Sequence, residues 1–457
     1  MNLRKIAVGL LAAVVAVTAH AQETNIEQRL DELEQEIRIL KRQRQLEQEQ
    51  AEQKAKEAPI VKAGADGFSL QSADGNFVLK LKAQIQADSR WYLEDDAHNG
   101  TDTFLMRRVR PTLEGTLYKD FDFRLMPDFG QGNVVLYDAY IEWKHWQWLK
   151  LRAGKYKSPV GLEQLQEDVF TEFTERSLAT DLVPNRDVGV DLNGDLSDGV
   201  VTYAAGVFNG VADGANGDLD NNDAKDYEGR LFVHPFKKTD IEPLQGLGLG
   251  VAGTIGDESG SPGTPNLPTF KTTGQLTFFK YLQGTTATVT NTTIANGQHT
   301  RWTPQGYYYW GPFGLLGEYV VSDQEVEIRP GGVKTSDHIR NSAWQAFGSI
   351  VLTGERASFR GVTPKKPFDL KTGGWGAFEL VGRYTALRVD PDAFPTFANP
   401  NNSAQEAHDW GVGLNWYLNR NVRLYLDYDQ TNFQGGAAGG KNRETEHFLG
   451  TRAQLWF

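Results

Sequence analysis

The sequence predicts an all-β transmembrane barrel: a sixteen-stranded antiparallel outer-membrane β-barrel with a short N-terminal coiled-coil helix. Three observations predict it: a signal-like N-terminus, period-two alternation from Phe77 onward, and an aromatic strand that ends the chain at Phe457. Lipid-facing and lumen-facing side chains alternate in a barrel wall, and only helices and closed barrels satisfy the backbone in lipid. A soluble antiparallel sheet alternates in the same way, so the last strand alone leaves both alternatives open.

Residues 1–21 are predicted to be a signal peptide. Arg4 and Lys5 form a basic start, residues 6–19 an apolar core, and Ala19-His20-Ala21 a small-x-small cleavage site. The core is too short for a transmembrane helix, and no later stretch is long and apolar enough to form one. Residence in a membrane therefore requires a barrel.

Residues 22–58 are predicted to be a periplasmic coiled-coil or helical segment, followed by a linker at 59–76. Apolar residues recur at heptad spacing over two heptads, which alone is too short for a stable helix but suits an oligomer. The alternative is a solvated, partly helical linker. The d positions are Ile26, Leu33 and Leu40, and the a positions are Leu30 and Ile37.

The predicted barrel, residues 77–457, is divided by connections that are alternately short and long. Lys119-Asp120 and Asn419-Arg420 are short, whereas 157–186 and 257–300 are long, as expected for periplasmic turns and outer loops. The long turn 353–374 has no local explanation in the sequence. A sixteen-stranded barrel leaves an aqueous channel. The predicted strands are 77–91, 104–118, 121–129, 136–145, 148–156, 187–195, 199–208, 225–235, 246–256, 301–310, 313–326, 341–352, 375–388, 408–418, 421–432 and 445–457.

Composition argues against several other functions. Loss of residues 1–21 leaves 45 basic against 59 acidic residues, a formal charge of −14, which argues against nucleic acid as a partner. There is no cysteine, so disulfides and thiolate metal sites are excluded. The acidic run 218–223 lacks the glycine and terminal glutamate of an EF-hand loop and is interpreted as a solvated outer loop. No histidine pair has metal spacing and no Gly-x-Ser-x-Gly motif occurs, so no enzyme, cofactor or metal site is predicted.

The loop at about 157–186 is predicted to fold into the lumen as a constriction. It is too rich in apolar residues such as Leu162 and Phe173 for a solvated outer loop, although a helical turn on the outer rim is the alternative. Its candidate functional residues are Lys155, Lys157, Gln164, Glu167, Asp168 and Arg176.

Several ordered motifs resemble one known family. They are Gly154–Glu163, Glu175-Arg176, Asn185–Val190, Phe104–Arg110, Leu352–Glu355 and Asn415–Tyr417. From about Gly67 to Phe457, this set resembles the phosphate-selective porin O and P family. The resemblance implies homotrimers of sixteen-stranded porin barrels in the bacterial outer membrane, in contact with lipid and lipopolysaccharide, which pass small anions past an inward-folded third loop.

An anion path requires fixed positive charge, and arginine suits phosphate through its planar fork. Arg108 and Arg110 share one strand face, whereas Arg107 faces the other way unless a bulge intervenes. The resemblance implies that Asp138 faces the binding site. The alternative is that these are scattered lumen charges paired with acids such as Asp122 and Glu142. The candidate pore-lining residues are Arg107, Arg108, Arg110, Lys80, Lys82, Arg124, Arg152 and Asp138.

The loop departs from the pattern of phosphate-specific members, in which lysines follow the Gly-Leu-Glu motif. Gln164 and Val169 stand there in this chain, with Glu167 and Asp168 nearby. The prediction is therefore an outer-membrane diffusion channel for small anions with weak phosphate preference. The alternatives are a general, other-solute or cation-tolerant porin, or a structural barrel or adhesin without a channel.

Overall fold

The computed structural model describes residues 28–50, 53–54, 56–97, 99–220, 222–284 and 291–457. The predicted signal peptide, residues 1–21, and the predicted seam residue Ile26 lie outside these ranges. The chain divides into two units. The first contains the described residues up to Ile60 together with 71–75, and the second contains 61–70 and the described residues from Asn76 onward.

The first unit contains a helix, α1, at residues 28–50. Its apolar side chains at the predicted seam positions, Leu30, Leu33, Ile37 and Leu40, are each at least half exposed. An i,i+4 ion pair joins Glu34 to Arg38 on the helix surface. No helix in the described ranges has the length and apolar character needed to cross a membrane. The coiled coil stays a prediction, because the single chain leaves this apolar stripe uncovered.

The second unit contains, within the described residues, sixteen long strands in one closed sheet. Each strand pairs antiparallel with the next, and the last pairs with the first, with Leu455 opposite Ile85. This confirms the predicted fold class and strand count. The barrel strands are β3 Phe77–Leu93, β4 Thr103–Leu117, β5 Phe121–Asp128, β6 Val135–Trp146, β7 Leu149–Lys157, β8 Arg186–Leu196, β9 Val201–Phe208, β10 Asp226–Val233, β11 Leu247–Ser259, β14 Ile294–Trp310, β15 Phe313–Ile328, β16 Thr335–Val351, β17 Ala377–Arg388, β18 Ala404–Tyr417, β19 Val422–Ala437 and β21 Glu446–Trp456.

Burial in the barrel is the reverse of that in a soluble protein. Leu79, Leu81 and Ile85 of β3 are exposed, while Gln86 and Asp88 on the other face of the strand are buried. A barrel in lipid turns its apolar side chains outward and its polar side chains toward the lumen. The alternation of the sequence therefore produces a lipid-facing outer wall and a charged interior.

Several strands are longer than the sequence predicts at the end that carries the long connections. β14 begins at Ile294 and β16 at Thr335, seven and six residues before their predicted starts at 301 and 341. The first residues of β16, Thr335-Ser336-Asp337-His338, are polar and exposed. Strand segments that are polar on both faces carry no alternation, so their pattern does not distinguish them from a loop.

The remaining elements are short. The connection between β11 and β14 contains a hairpin of two short strands, β12 Thr269–Lys271 and β13 Thr277–Lys280, where the sequence predicted only a loop. These elements are β1 Ile60–Gly64, β2 Gly67–Gln71, β12 Thr269–Lys271, β13 Thr277–Lys280, β20 Lys441–Asn442, the helix α2 Leu162–Leu165, and 3-10 turns at Gly130–Gly132, Leu178–Leu182, Glu242–Leu244, Pro330–Gly332, Pro391–Ala393 and Ala438–Gly440.

The long turn between β16 and β17 folds into the lumen from the short-turn end. Ala357 and Val362 are buried in an apolar cluster with wall residues that include Tyr417. Phe359 stacks on Tyr307 with ring centroids 5.1 Å apart. The length of the turn, which the sequence leaves unexplained, therefore follows from its packing inside the barrel.

Candidate functional site in the barrel lumen

Residues 158–185, here called the inner loop, connect β7 to β8 and reach the opposite wall. The side-chain amide of Asn415 on β18 donates to the Glu172 carbonyl over 2.9 Å, and the Arg383 guanidinium on β17 donates to the Glu175 carbonyl over 2.8 Å. These strands lie about eight places around the sixteen-stranded barrel from β7 and β8. The inner loop therefore crosses the lumen.

Apolar burial fixes the inner loop in this position. Leu162 and Phe173 are buried in a cluster with Phe232, Leu316 and Phe347 of the wall. The backbone N–H groups of Leu162 and Glu163 also donate to the Glu318 carboxyl on β15, over 2.7 and 3.2 Å. The apolar residues of the loop pack against the barrel interior, as the constriction hypothesis requires.

A β-bulge in β4 brings three neighbouring arginines to the lumen. Gln86 pairs with Arg108, but the next residue of β3, Ala87, pairs with Met106, so Arg107 is the extra residue. A bulge places two residues of one strand opposite one residue of its partner and redirects their side chains. Arg107 consequently reaches the inner loop alongside Arg108 and Arg110.

Two carboxylates of the inner loop bind these arginines. Glu175 accepts from Arg107 over 2.5 and 2.9 Å, while Asp168 contacts Arg110 and lies 3.4 Å from Arg108. Arg176 of the loop also reaches Asp168, at 2.5 Å. Burial alone would raise the pKa of Asp168, but the guanidiniums of Arg176, Arg108 and Arg110 outweigh it and hold that pKa well below its usual range. Asp168 is therefore a shared, permanently charged partner.

On the side of the inner loop that faces the long connections lies a cavity of about 120 Å³, here called the arginine cavity. Burial raises the pKa of its partly buried Asp181 to about 8, so this carboxyl is mostly neutral at pH 7. The cavity wall thus carries an excess of positive charge. Its charged side chains are Arg107, Arg108, Arg110, Arg176, Arg186 and Lys271, against Asp168, Glu175 and Asp181.

Asp138 lies beside this cavity as a counter-ion for two cations. Its carboxylate accepts from Arg186 over 2.9 Å and lies 3.3 Å from Arg124. The Tyr137 ring lies between Arg110 and Arg186, whose guanidinium carbons are 4.0 and 4.2 Å from its centroid. Asp138 is not among the residues lining the arginine cavity, but it binds one lining cation, Arg186.

Other predicted residues lie elsewhere in the lumen. Lys82 and Arg124 line a separate cavity of about 200 Å³ together with Glu167, and Lys82 pairs with Glu114. Lys80 is exposed on the same face of β3, nearer the short-turn end. Their charges are therefore separated from the arginine cavity by the inner loop.

Two predicted cations are held by carboxylates outside the arginine cavity. Arg152 pairs with Glu142 at 2.6 Å, the partner that the alternative interpretation named. Lys155 pairs with Asp218 of an outer connection. Neither is among the residues lining the arginine cavity.

Three polar candidates in or next to the inner loop contact other residues of the barrel or of the loop itself. Gln164 hydrogen-bonds to Asn185, and Lys157 donates to the Gln166 carbonyl over 2.7 Å. Glu167 is about half exposed and lies 3.9 Å from Arg124. Of these three, only Gln164 lines the arginine cavity.

Sequence reasoning missed two cations of the arginine cavity, Arg186 and Lys271, and the neighbouring Arg452. Arg186 stands in the quoted Asn185–Val190 motif, and Arg452 lies on the polar face of the last strand, so the alternation of that strand could have found it. Arg452 makes two hydrogen bonds of 2.7 Å to Asp88 and lies 3.6 Å from Glu175. No pattern in the sequence indicated a role for Lys271, because its hairpin lies inside a long connection.

The closed barrel with a loop across its lumen is the architecture of outer-membrane channel proteins. The chain belongs to the phosphate-selective porin O and P family, because the sequence model of that family matches residues 79–457. It is therefore a diffusion channel of the bacterial outer membrane, as the sequence predicted. The family match runs from Leu79, the third residue of β3, to the last residue of the chain.

Solved structures share the fold at low sequence identity. The outer membrane channel DcaP of Acinetobacter baumannii is 10% identical, with a TM-score of 0.55 over 86% of this chain and 100% of that one. In-vitro folded OmpT of Vibrio cholerae is 12% identical, with a TM-score of 0.52 over 88% and 100%. OmpF of Salmonella typhi is 10% identical, with a TM-score of 0.51 over 87% and 100%. A comparison with curated protein sequences gives no match.

Proposed function

We propose that the channel prefers small anions and that the arginine cavity sets this preference. The observation that carries the proposal is the charge of that cavity, where six cations face three carboxyls, one of them mostly neutral at pH 7. An anion that sheds part of its hydration shell needs fixed positive charge or N–H donors in its place. The inner loop narrows the lumen at this point, so this charge acts on every passing solute.

The proposed preference for phosphate is weak. The carboxylates of Glu175 and Asp168 already bind Arg107, Arg108 and Arg110. A phosphate therefore has to compete with two permanently charged carboxylates for the same guanidinium groups. Gln164 stands where a lysine would add a free cation. The paired arginines support a general anion path more than a tight phosphate site.

A cation-tolerant porin is the second candidate, and the exposed Glu167 favours it. This carboxylate lies on the far side of the inner loop, near Lys82 and Arg124. A cation entering from the short-turn end meets Glu167 before it meets the arginine cavity. The sign of ion selectivity separates the two candidates.

Reversal potentials in a potassium chloride gradient should give an anion-selective wild type. Arg108→Ala should lower the chloride preference roughly threefold, because it removes one cation of six from the narrow region while screening limits the effect of more distant charge. Arg388→Ala, at an exposed residue outside the cavity, is the matched control. Cation selectivity of the wild type would overturn the anion proposal, and block of chloride current by micromolar phosphate would overturn the weak phosphate preference.

We propose further that the barrel is a homotrimer and that α1 projects into the periplasm as a three-stranded coil. The exposed apolar stripe Leu30, Leu33, Ile37 and Leu40 supports this, because three copies could bury it at a shared seam. One solved structure of OmpT, 13% identical with a TM-score of 0.51 over 83% of this chain and 99% of that one, is described as a trimer form.

Deletion of residues 22–58 should leave conducting barrels whose trimers dissociate at a lower temperature. The pore lies in the second unit, whereas the coil would only add avidity between barrels already in contact. Single-channel conductance and heat-dependent migration of the oligomer measure the two effects separately. Loss of conductance in correctly inserted protein would show that the helix does more than tether.

The anion preference should fall about two- to threefold between pH 7 and pH 9 as Asp181 ionises, since a charge in a partly dehydrated site is screened less than in bulk water. Burial raises the pKa of Asp181 to about 8, so its carboxyl is mostly neutral at pH 7 and mostly charged at pH 9. Asp181→Asn fixes the neutral form and should give a smaller pH dependence in reversal-potential measurements. An equal pH dependence in wild type and variant would assign the titration to another group.

A further inference from the structure

A third cavity, of about 490 Å³, lies at the short-turn end of the lumen and is here called the short-turn cavity. Part of its wall is formed by Val169 and Phe170 of the inner loop and by residues 358 and 360–363 of the inward-folded turn. It shares no lining residue with the arginine cavity. A solute that has passed the inner loop would meet this cavity next.

The charge of the short-turn cavity is again mainly positive. Arg360, Arg420 and Arg423 line it, with Glu167 the one lining carboxylate. Glu167 lies 3.9 Å from Arg124, and Arg420 lies 2.5 Å from Asp66. Neither of these pairs includes Arg360 or Arg423. The positive charge of these two arginines is therefore the least compensated in the cavity.

Arg423 on β19 is unusual among the buried arginines of the barrel. It is 2% exposed and lies between the rings of Tyr417 and Tyr425, with centroid distances of 4.4 and 3.9 Å. Within the described residues its Nε and Nη1 have no hydrogen-bond partner, and Nη2 makes only a 3.4 Å contact with the Glu172 carbonyl. This guanidinium is buried without a bound carboxylate.

The nearby acids do not satisfy Arg423. The Glu379 carboxyl accepts from the Tyr417 hydroxyl over 2.7 Å, and the Glu172 carboxyl accepts from Gln166 over 3.3 Å. In contrast, the equally buried Arg452 is bound by the Asp88 carboxylate through two hydrogen bonds, and within the described residues only its Nη1 lacks a partner. An unpaired buried charge is costly, so a guanidinium of this kind is expected to acquire an anionic partner.

The short-turn cavity also offers apolar surface, from Val169, Phe170, Val362 and Trp456. Phe170 and Trp456 meet edge to face with ring centroids 5.3 Å apart. Its volume lies within the range of small-molecule sites and exceeds what an inorganic anion fills. The lining therefore fits a molecule with one charged end and one apolar end.

We propose that the short-turn cavity binds a small organic oxyanion with an apolar body, its charged group at Arg423 and Arg360 and its body against Phe170 and Trp456. The two unpartnered nitrogens of Arg423 are covered in the unliganded structure, so binding includes a small movement of the guanidinium or of the tyrosine rings. This site adds a binding step to the proposed anion path, but its occupancy does not depend on the ion selectivity at the arginine cavity.

Calorimetric titration of the full-length, detergent-solubilised protein with benzoate tests the proposal. Wild type should bind benzoate, whereas benzyl alcohol, of similar shape but without charge, should bind at least tenfold more weakly. Arg423→Gln should weaken benzoate binding at least tenfold, and Phe170→Ala and Arg360→Gln about threefold each. Arg388→Gln, an exposed arginine outside the cavity, should bind as wild type does.

Two outcomes would overturn the site: no benzoate binding by wild type at millimolar concentration, or wild-type affinity in Arg423→Gln. If Arg423→Gln fails to fold, unchanged affinity in both Phe170→Ala and Arg360→Gln has the same meaning. Reversal potentials recorded on the same preparations keep the two proposals apart. A cation-selective channel that still binds benzoate through Arg423 would overturn the proposed selectivity and leave the short-turn site standing.

Discussion

Asp168→Asn should raise the chloride-over-potassium permeability ratio about tenfold, the largest change in selectivity expected from a single substitution in this channel. Asp168 is the shared partner of Arg110 and Arg176 and lies 3.4 Å from Arg108. A unit charge 4 Å away contributes about 4 kcal/mol at an effective dielectric of 20, whereas a tenfold ratio needs only about 1.4 kcal/mol. Even strong screening therefore leaves a measurable effect.

Reversal potentials in a potassium chloride gradient measure this ratio directly. Asp218→Asn is the matched control. Asp218 lies in an outer connection, pairs with Lys155 on β7 and does not line the arginine cavity. The control should behave as wild type does. An unchanged or lower chloride preference in folded Asp168→Asn would mean that the arginine cavity does not set the selectivity.

Phe173→Ala should release the inner loop and at least double the single-channel conductance, because truncating a buried phenylalanine costs about 3–5 kcal/mol of packing. Phe173 is 2% exposed, belongs to the cluster with Leu162 and Phe347, and lies under the Arg383 guanidinium at 4.1 Å. The closed hydrogen-bonded sheet is independent of this contact. Thermal unfolding of the barrel should therefore change little while the pore widens.

Planar-bilayer conductance and heat modifiability together test this expectation. Phe208→Ala removes a buried aromatic of similar size from β9, where it packs on Tyr156 of the wall. That variant should keep the wild-type conductance. Equal conductance in Phe173→Ala and wild type would indicate that the polar contacts of the loop with Glu318 and Asn415 hold it without the apolar anchor.

The strands of this barrel were predictable because one face of each strand meets lipid and the other the lumen, which makes apolar and polar residues alternate. Alternation alone places Leu449 and Leu455 on one face of β21 and Arg452 and Gln454 on the other. Closure of the sheet was predicted because only a closed barrel satisfies the strand backbone in lipid. The upper part of β16 is polar on both faces, so the same rule failed there. Alternation therefore predicts the lipid-embedded part of a strand and not its full length.

The wall residues that contact the inner loop could not be predicted from the sequence. Glu175 binds Arg90 and Arg107, which are 85 and 68 positions away along the chain, and nothing near Glu175 identifies them. The apolar content of the loop did indicate a buried segment. Which wall residues receive it depends on the curvature and register of the whole barrel, which no short window of sequence contains.

The bulge at Arg107 also has a consequence for the evolution of selectivity. It amounts to one extra residue in β4, set against an unbroken partner strand. Loss of a single codon there would restore strict pairing and remove one cation from the lumen, while the lipid-facing residues on both sides keep their orientation. Lineages of such channels can therefore alter the electrical character of the pore by in-frame insertion or deletion, without exchanging any amino acid for another.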